Sequence, residues 1–398
     1  MTVRTEVLIV GAGPAGGHLA RKLAQQGVQV LLADRLKDLH TNAFSSAGTL
    51  WEILARFDLP ESIVGSSWRH LEILTTQERG RWEGPQTGTP IGAVLDLGRL
   101  RTFLAEATRQ HGGEVWLGAK ALSREGSRVR FERDGEEVDV EARLVIDATG
   151  PARSLMRHGT PKQTEYLSAT GLEWLVEVPE ATYARFHETL LFTMGTKWMP
   201  RGYSWVFPME ANTLKVGAAR YILGDGSKGP SLKTQIEFLL REKVGCPDAR
   251  LIDQHGASLK YAKGLQDVYI DGPLMAIGDA VSTLNLLGGE GIRFAMEGAE
   301  IALPYVLQRL ADPTCELPGY RKAMHRRFKR AWNWSEELAI RKYLQDDDTR
   351  IDGFVRFFQP MSLGFLVDVL FNHNYGRAAR KAGPAYLWRS LKRRLGFG

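Results

Sequence analysis

Cysteine is nearly missing: Cys246 and Cys315 are the only two in 398 residues, and they form no Cys-x-x-Cys pair. A disulfide framework and a cysteine zinc site are therefore not expected, no metal is called for, and a reducing cytosol suits the chain. Long apolar runs are missing too. Nothing approaches the roughly 18 residues of a membrane helix, and the longest stretch, Gly364–Phe371, carries Asp368. The first apolar strand, Val7–Val10, starts so near Met1 that no signal peptide is expected, which points to a cytoplasmic protein. Low-complexity tracts and internal repeats are absent. What remains is ordinary globular composition, 43% hydrophobic and 25% charged, at a length that suits two domains.

The net charge of +6 is unevenly placed. Pro318–Gly398 holds 17 Lys and Arg against 7 Asp and Glu, interleaved with Trp, Phe and Leu. That stretch reads either as a solvated helical surface or as a surface resting on anionic lipid. Peripheral membrane binding would use Phe354, Phe357, Phe358, Phe365, Leu366 and Phe371 together with Arg377, Arg380, Lys381, Arg389, Lys392, Arg393 and Arg394. A nucleic-acid partner is not expected, because no binding motif accompanies the charge.

Glycine, by contrast, is abundant and clustered. Val7–Val10 reads as a buried parallel strand, His18–Gln26 as a helix closed by Gly27, and Val28–Ala33 as a second strand. Between strand and helix lies Gly11-Ala12-Gly13-Pro14-Ala15-Gly16. Gly11 permits the tight turn, Gly13 removes a side chain that would block phosphates, and Gly16 lets the helix pack on the strand. The helix N-terminus then presents free N–H groups to a pyrophosphate. Asp34, with Arg35 beside it, closes the second strand 21 residues after Gly13, where an acid accepts hydrogen bonds from an adenosine ribose.

Periodicity predicts a helix within residues 45–65, strands over 68–95 with turns at Gly80 and Gly84-Pro85, and a helix over Leu97–Gly112. A further buried strand, Arg143–Asp147, leads into Ala148-Thr149-Gly150. From about 160 to 265 alternating runs predict a twisted antiparallel sheet with a helix at Ser231–Lys243. Parallel-strand texture returns at Leu274–Ile277, which leads into Gly278-Asp279. Next comes Leu287-Gly288-Gly289-Glu290-Gly291-Ile292, opening a long helix. Glycines there let the backbone pass under a flat ring, and a helix N-terminus stabilises negative charge on a reduced flavin. A simple nicotinamide enzyme has no need of this second nucleotide segment, so FAD is the expected cofactor.

The order of Gly11–Gly16 with Asp34, then Asp147–Gly150, then Gly278-Asp279 resembles FAD enzymes of the hydroxybenzoate-hydroxylase fold. Within it, Tyr203-Ser204-Trp205-Val206-Phe207-Pro208 with the trailing Val216-Gly217, and Gly289–Glu297, resemble segments of geranylgeranyl reductases. The resemblance covers roughly residues 5–310. It implies an α/β fold: a Rossmann-like FAD-binding domain (residues 1–70, 96–160 and 266–310), an inserted antiparallel-sheet substrate domain (71–95 and 161–265) and a helical basic C-terminal region (311–398). Asp279 would hydrogen-bond a ribityl hydroxyl, with Gly150, Gly278, Gly289, Gly291 and Ile292 also at the cofactor. Tyr203, Trp205 and Phe207, alternating on one strand face, would wall an apolar pocket for an isoprenoid chain whose C=C bonds are reduced.

The chain departs from the family in three places. No cysteine stands in Phe44-Ser45-Ser46-Ala47-Gly48. Leu97 opens the helix where relatives carry arginine, so Arg99 or Arg101 would substitute. Thr149 replaces an aspartate. The proton donor is not marked by any motif; Glu290 is the nearest acid in sequence, and it also suits a first-turn helix position. Only one dinucleotide turn is found, so the electron donor would be NAD(P)H visiting the flavin or a ferredoxin. Two other flavin chemistries share the fold. A lycopene cyclase-like reading lacks acids in Val216–Arg220, and a monooxygenase or halogenase reading lacks the first Trp and the Ile of Trp-x-Trp-x-Ile-Pro.

Overall fold

The computed structural model describes residues 2–156, 164–222, 229–343 and 346–381. Thr2–Val10, whose Val7, Leu8 and Ile9 are fully buried, is the centre of a parallel core. It pairs in parallel with Val30–Ala33 on one side and with Glu136–Asp147 on the other. Glu114–Trp116 and Leu274–Ala276 extend the two flanks, also in parallel. Ile270–Asp271, Arg128–Arg133 and Ala119–Glu125 complete an eight-stranded sheet. The register places Val10 opposite Ala33 and Asp147, and Asp147 opposite Ala276. The carboxyl ends of four strands thus line up, and the residues after them share one edge, where open parallel sheets hold their ligands.

Helix Pro14–Ala24 covers this sheet with Leu19 and Leu23, and helix Leu97–Gln110 packs beside it, its Leu100 and Leu104 buried in a smaller core with Ile53 and Phe57. The second helix starts where Asp96 accepts a hydrogen bond from the Arg99 amide at 2.9 Å, a side-chain N-cap. Helix Ile292–Ala311 belongs to the core of the sheet, with Phe294, Ala299 and Val306 buried in it.

A seven-stranded sheet runs Arg250–Ala262, Tyr166–Glu177, Thr213–Ile222, Met199–Pro208, Thr189–Gly195, His70–Leu74, Arg79–Glu83. One pair in it, Thr189–Gly195 with His70–Leu74, is parallel, so the sheet is mixed rather than wholly antiparallel. A small third sheet joins Gly48–Leu50, Gly92–Leu95 and Val64–Trp68. This sheet corrects the helix expected over 45–65. Leu50 is in a strand, and only the single turn Ile53–Arg56 is α-helical; the left-handed Asp58 (φ 51°) follows it. Gly80 likewise sits inside Arg79–Glu83, and the turn is at Thr75–Glu78, closed by Thr75 N donating to Glu78 O at 2.9 Å.

Helices Pro318–Tyr343, Asp348–Phe358 and Leu363–Leu370 fold back over the molecule. Tyr320 donates to Ala276 O and Tyr343 to Leu287 O, both at 2.9 Å, and Trp82 donates to Phe358 O at 3.1 Å. This packing corrects the idea that the C-terminal aromatics face a bilayer. Phe358, Phe365, Leu366 and Phe371 are buried, and Phe354 and Phe357 pack partly buried against the same core. Arg377 pairs with Asp368, while Arg389, Lys392, Arg393 and Arg394 lie outside the described residues. No helix among the described residues is long and apolar enough to cross a membrane.

Candidate active site and cofactor cleft

The first turn is shaped by close backbone approach. Gly11 has φ +111°, and a β-carbon there would lie 2.3 Å from the Ala148 carbonyl oxygen; one on Gly16 would lie 1.9 Å from Gly11 O. A β-carbon on Gly13 would meet nothing within 4 Å, so the space above it is open. Pro14 opens the helix, Ala15 and Gly16 follow, no side chain caps it, and its first turn carries no acid. Its amides are thus available to an anion. Asp34 holds the turn in place: its carboxylate accepts from Ala12 N at 2.7 Å and from Leu36 N at 2.9 Å. Arg35 beside it is exposed.

Of the two arginines offered by the sequence, Arg101 faces this end. It donates to Thr41 O at 3.1 Å and feels the charges of Asp34 and Asp38, although burial is the larger effect and lowers its pKa. Its Nε has no partner among the described residues. Arg99 turns away to Glu210. Gly150 (φ +66°) also stands open. Asp147 is wholly engaged, accepting from Thr149 N and Oγ1, Leu155 N and Met156 N, so it shapes the turn from within.

Asp279 lines a cleft. Pro14, Gly291, Ile292 and Ala295 stand on the side of the parallel sheet, and Phe44, Tyr203, Trp205 and Leu259 stand across from them. One Asp279 oxygen accepts from Thr283 Oγ1 (3.1 Å) and Leu284 N (3.0 Å), and burial pushes its pKa up. Gly278 has φ +62°, which seats its neighbour on the sheet edge. The uncapped helix start after Gly13, a clamped Asp34, a carboxyl in the cleft and glycines along it could hold FAD, with the pyrophosphate at the helix end, the adenosine by Asp34 and the ring system between Ile292 and the aromatic wall.

A second cavity adjoins the first and is mostly apolar. Leu71, Ile73, Phe192, Met194, Phe207 and Phe371 are among its walls. Both cavities share Ser45, Ser46, Tyr203, Gly289, Gly291 and Ile292. Tyr203 is therefore at their junction, Phe207 faces the second and Trp205 the first. Trp205 is fixed by donating to the buried Glu173 at 2.9 Å. Burial raises the Tyr203 hydroxyl to about 12. Glu290 lines the second cavity with its pKa raised by burial, but it is tied down: Thr49 Oγ1 donates to it at 3.2 Å and Arg293 at 2.8 Å. Among the described residues no cluster of three or more His, Cys, Asp or Glu is arranged for a metal.

Two supporting groups carry no motif. Buried Lys215 donates to Ser45 O (2.8 Å) and Leu95 O (3.0 Å), which fixes the loop between the cavities. Buried Arg153 binds Asp267 at 2.9 Å, Ser282 Oγ at 2.9 Å and Lys260 O at 3.1 Å, tying the Gly150 turn to the Asp279 turn. Their partners are more than 100 residues away, a relation that no local pattern displays.

Comparison with known proteins agrees with this geometry. Digeranylgeranylglycerophospholipid reductase of Haloferax volcanii is 28% identical over 76% of this chain and 75% of its own. The protein of that name from Thermoplasma acidophilum is 24% identical over 86% of this chain and 89% of its own. Among solved structures, a geranylgeranyl bacteriochlorophyll reductase-like protein of Thermoplasma acidophilum superposes with a TM-score of 0.79 at 21% identity, covering 96% of this chain and 100% of that one. A flavin-dependent brominase superposes with a TM-score of 0.65 at 16% identity, over 90% of each chain. Residues 4–304 match the FAD binding domain family, and the chain belongs to that family as an FAD-dependent oxidoreductase.

Proposed function

We propose that this oxidoreductase saturates C=C bonds of a geranylgeranyl-type isoprenoid chain. The observation that carries the reading is the pair of adjoining cavities: a mostly apolar one meets the cofactor cleft at Tyr203 and Gly289. Bound FAD, once reduced, supplies the hydride. The chain's own residues do the rest. Residues 1–70, 96–160 and 266–310 hold the cofactor, and 71–95 with 161–265 wall the substrate together with the C-terminal region, whose Phe354 and Phe371 line the apolar cavity. Gly11, Gly13, Pro14, Ala15 and Gly16 receive the pyrophosphate, Asp34, Arg35 and Arg101 serve the adenosine end, and Gly150, Gly278, Asp279, Gly289, Gly291 and Ile292 surround the ribityl and ring end. Tyr203, Trp205 and Phe207 press the alkene into place and keep water out. An isolated alkene has no carbonyl to polarise, so placement in a dry pocket provides much of the rate. The second carbon needs a proton. Glu290 is occupied by Arg293 and Thr49, whereas the Tyr203 hydroxyl, kept protonated by burial, stands where the cavities meet; it donates, and solvent returns the proton once the product has left.

The names of the relatives support a lipid substrate. Collection from an anionic membrane surface is supported by helix Pro318–Tyr343, which carries exposed Arg321, Lys322, Arg326, Lys329 and Arg330 and, further along, exposed Trp334. Co-sedimentation with anionic but not neutral vesicles, weakened by salt, tests that. NAD(P)H or a ferredoxin supplies electrons; anaerobic mixing with NADPH and observation of flavin bleaching separates the two. The reading itself is tested by incubating reduced enzyme with geranylgeranyl lipids. A mass gain of two hydrogens per bond is expected. Gain of oxygen or halogen would assign monooxygenase or halogenase chemistry, and isomerised product of unchanged mass a cyclase.

A further inference from the structure

The glycine run Gly288-Gly289-Glu290-Gly291, which leads into helix Ile292–Ala311, has little stiffness of its own, because a glycine backbone favours no single conformation. Its near end is nevertheless pinned. Asn285 is the hub: its amide donates to Glu290 O and its carbonyl accepts from Gly289 N, both at 2.9 Å. Its side-chain oxygen accepts from Leu287 N (3.1 Å), Gly288 N (3.3 Å) and Ser335 Oγ (2.7 Å). Ser335 Oγ accepts in turn from Leu287 N at 3.0 Å. The Tyr343 hydroxyl donates to Leu287 O at 2.9 Å, and the Tyr221 hydroxyl donates to Leu286 O at 2.7 Å. Leu287 thus has both its N–H and its C=O tied to helix Pro318–Tyr343. Asn285, Ser335, Tyr221 and Tyr343 are all buried, so bulk water does not compete for these bonds.

We propose that Ser335 and Tyr343, both outside the segments that hold the cofactor, are positioning residues for the flavin and set its reduction potential by fixing the glycine run beside the ring. The inference rests on the placement of the ring by Gly289, Gly291 and Ile292, and not on the identity of the substrate. Helix Ile292–Ala311 starts without a side-chain cap and without an acid in its first turn, so its leading amides are available to a ligand. Glu290, just before it, is answered by Arg293 at 2.8 Å. Reduction places negative charge on the flavin ring, which such amides stabilise. They do so best when they are already aligned and need no reorientation as the charge arrives. Loss of one pin lets the glycines relax. The reduced form then loses more than the oxidised form, and the potential becomes more negative.

The test is the midpoint potential of the FAD-loaded protein, measured without oxygen against a reference dye, together with the dissociation constant of oxidised FAD. Ser335→Ala and Tyr343→Phe each remove one hydroxyl. Each is expected to favour reduced over oxidised FAD about tenfold less than wild type does, the scale of one hydrogen bond, which is a potential more negative by about 30 mV for a two-electron couple. Asn333→Gly, exposed on the same helix, loosens that helix without touching the run and should keep the wild-type potential. Gly289→Ala, which strains the run itself, should shift it. A shift in either hydroxyl variant but not in Asn333→Gly supports the pin and names the bond that carries it. Wild-type potentials in both hydroxyl variants, with Gly289→Ala shifted, overturn it while the ring placement stands. An equal shift in Asn333→Gly overturns it as well, since any loosening of the helix would then suffice. So does equal weakening of oxidised and reduced FAD, which leaves the pin a role in binding alone. If Gly289→Ala too keeps the wild-type potential, the ring lies elsewhere and the placement falls together with the proposal.

Discussion

Tyr203 and Gly289 meet so closely that a β-carbon on Gly289 would lie 2.0 Å from the tyrosine hydroxyl oxygen. Gly289 also has φ +67°, a left-handed conformation. Gly289→Ala would therefore strain the backbone by about 1–3 kcal/mol and displace the hydroxyl. The variant is expected to keep its FAD and lose at least about tenfold in turnover, because a shift near 1 Å is enough for such a loss. Flavin occupancy and kcat measured on one preparation check this; unchanged turnover would mean that the contact has no part in catalysis.

Tyr203→Phe keeps the aromatic wall and removes only the proton. Turnover should fall while the apparent affinity for the isoprenoid stays within about twofold. Equal turnover by the phenylalanine variant would move the proton source to water or to Glu290.

At the nucleotide end, Gly13→Asp has room for its β-carbon but places a carboxylate beside the helix N-terminus where pyrophosphate belongs. The purified variant should be colourless. Full flavin absorbance would show that the phosphates lie elsewhere.

Asp267 and Arg153 are both buried and paired at 2.9 Å. Asp267→Ala would leave the guanidinium buried without its counter-charge and is expected to lose about 3 kcal/mol of stability. The Gly150 and Asp279 turns lean on this pair, so FAD release on heating should come earlier as well. Thermal unfolding, followed by flavin fluorescence and by circular dichroism together, measures both.

His373 is buried against Phe294 and Trp332, and burial with Arg293 and Arg327 nearby lowers its pKa to about 3. The unfolded imidazole binds a proton below about pH 6.5, while the folded one stays neutral. Protonation thus favours the unfolded chain, and stability is lost as pH falls from about 6.5 towards 3, by up to about 1.4 kcal/mol per unit. His373→Gln should flatten this part of the stability–pH curve; a curve of the same slope would assign the acid sensitivity to other groups.

The parts legible in the sequence are those written in neighbouring residues. The run Val7–Val10, the turn Gly11–Gly16 and Asp34 announce a nucleotide edge because each spacing is local, and the strand registers set Asp147 and Ala276 beside them. Alternation along Tyr203–Phe207 likewise showed one aromatic face. The apolar residues between 45 and 65 misled because Leu50, Ile53, Leu54 and Phe57 suit a helix as well as a strand followed by one turn; pairing of Gly48–Leu50 with Gly92–Leu95 decided between them. The C-terminal phenylalanines showed an apolar face but not what covers it. Lys215 beneath Ser45, and Arg153 against Asp267, became visible only once distant segments met.

The central claim is that the isoprenoid itself accepts the electrons. Its most direct test is to reduce the holoenzyme, remove all oxygen, mix it with a geranylgeranyl lipid in a stopped-flow cell and follow flavin absorbance. The oxidised spectrum should return without oxygen, one flavin reoxidised for each two hydrogens gained by the product. A flavin that stays reduced until oxygen is admitted would contradict the account.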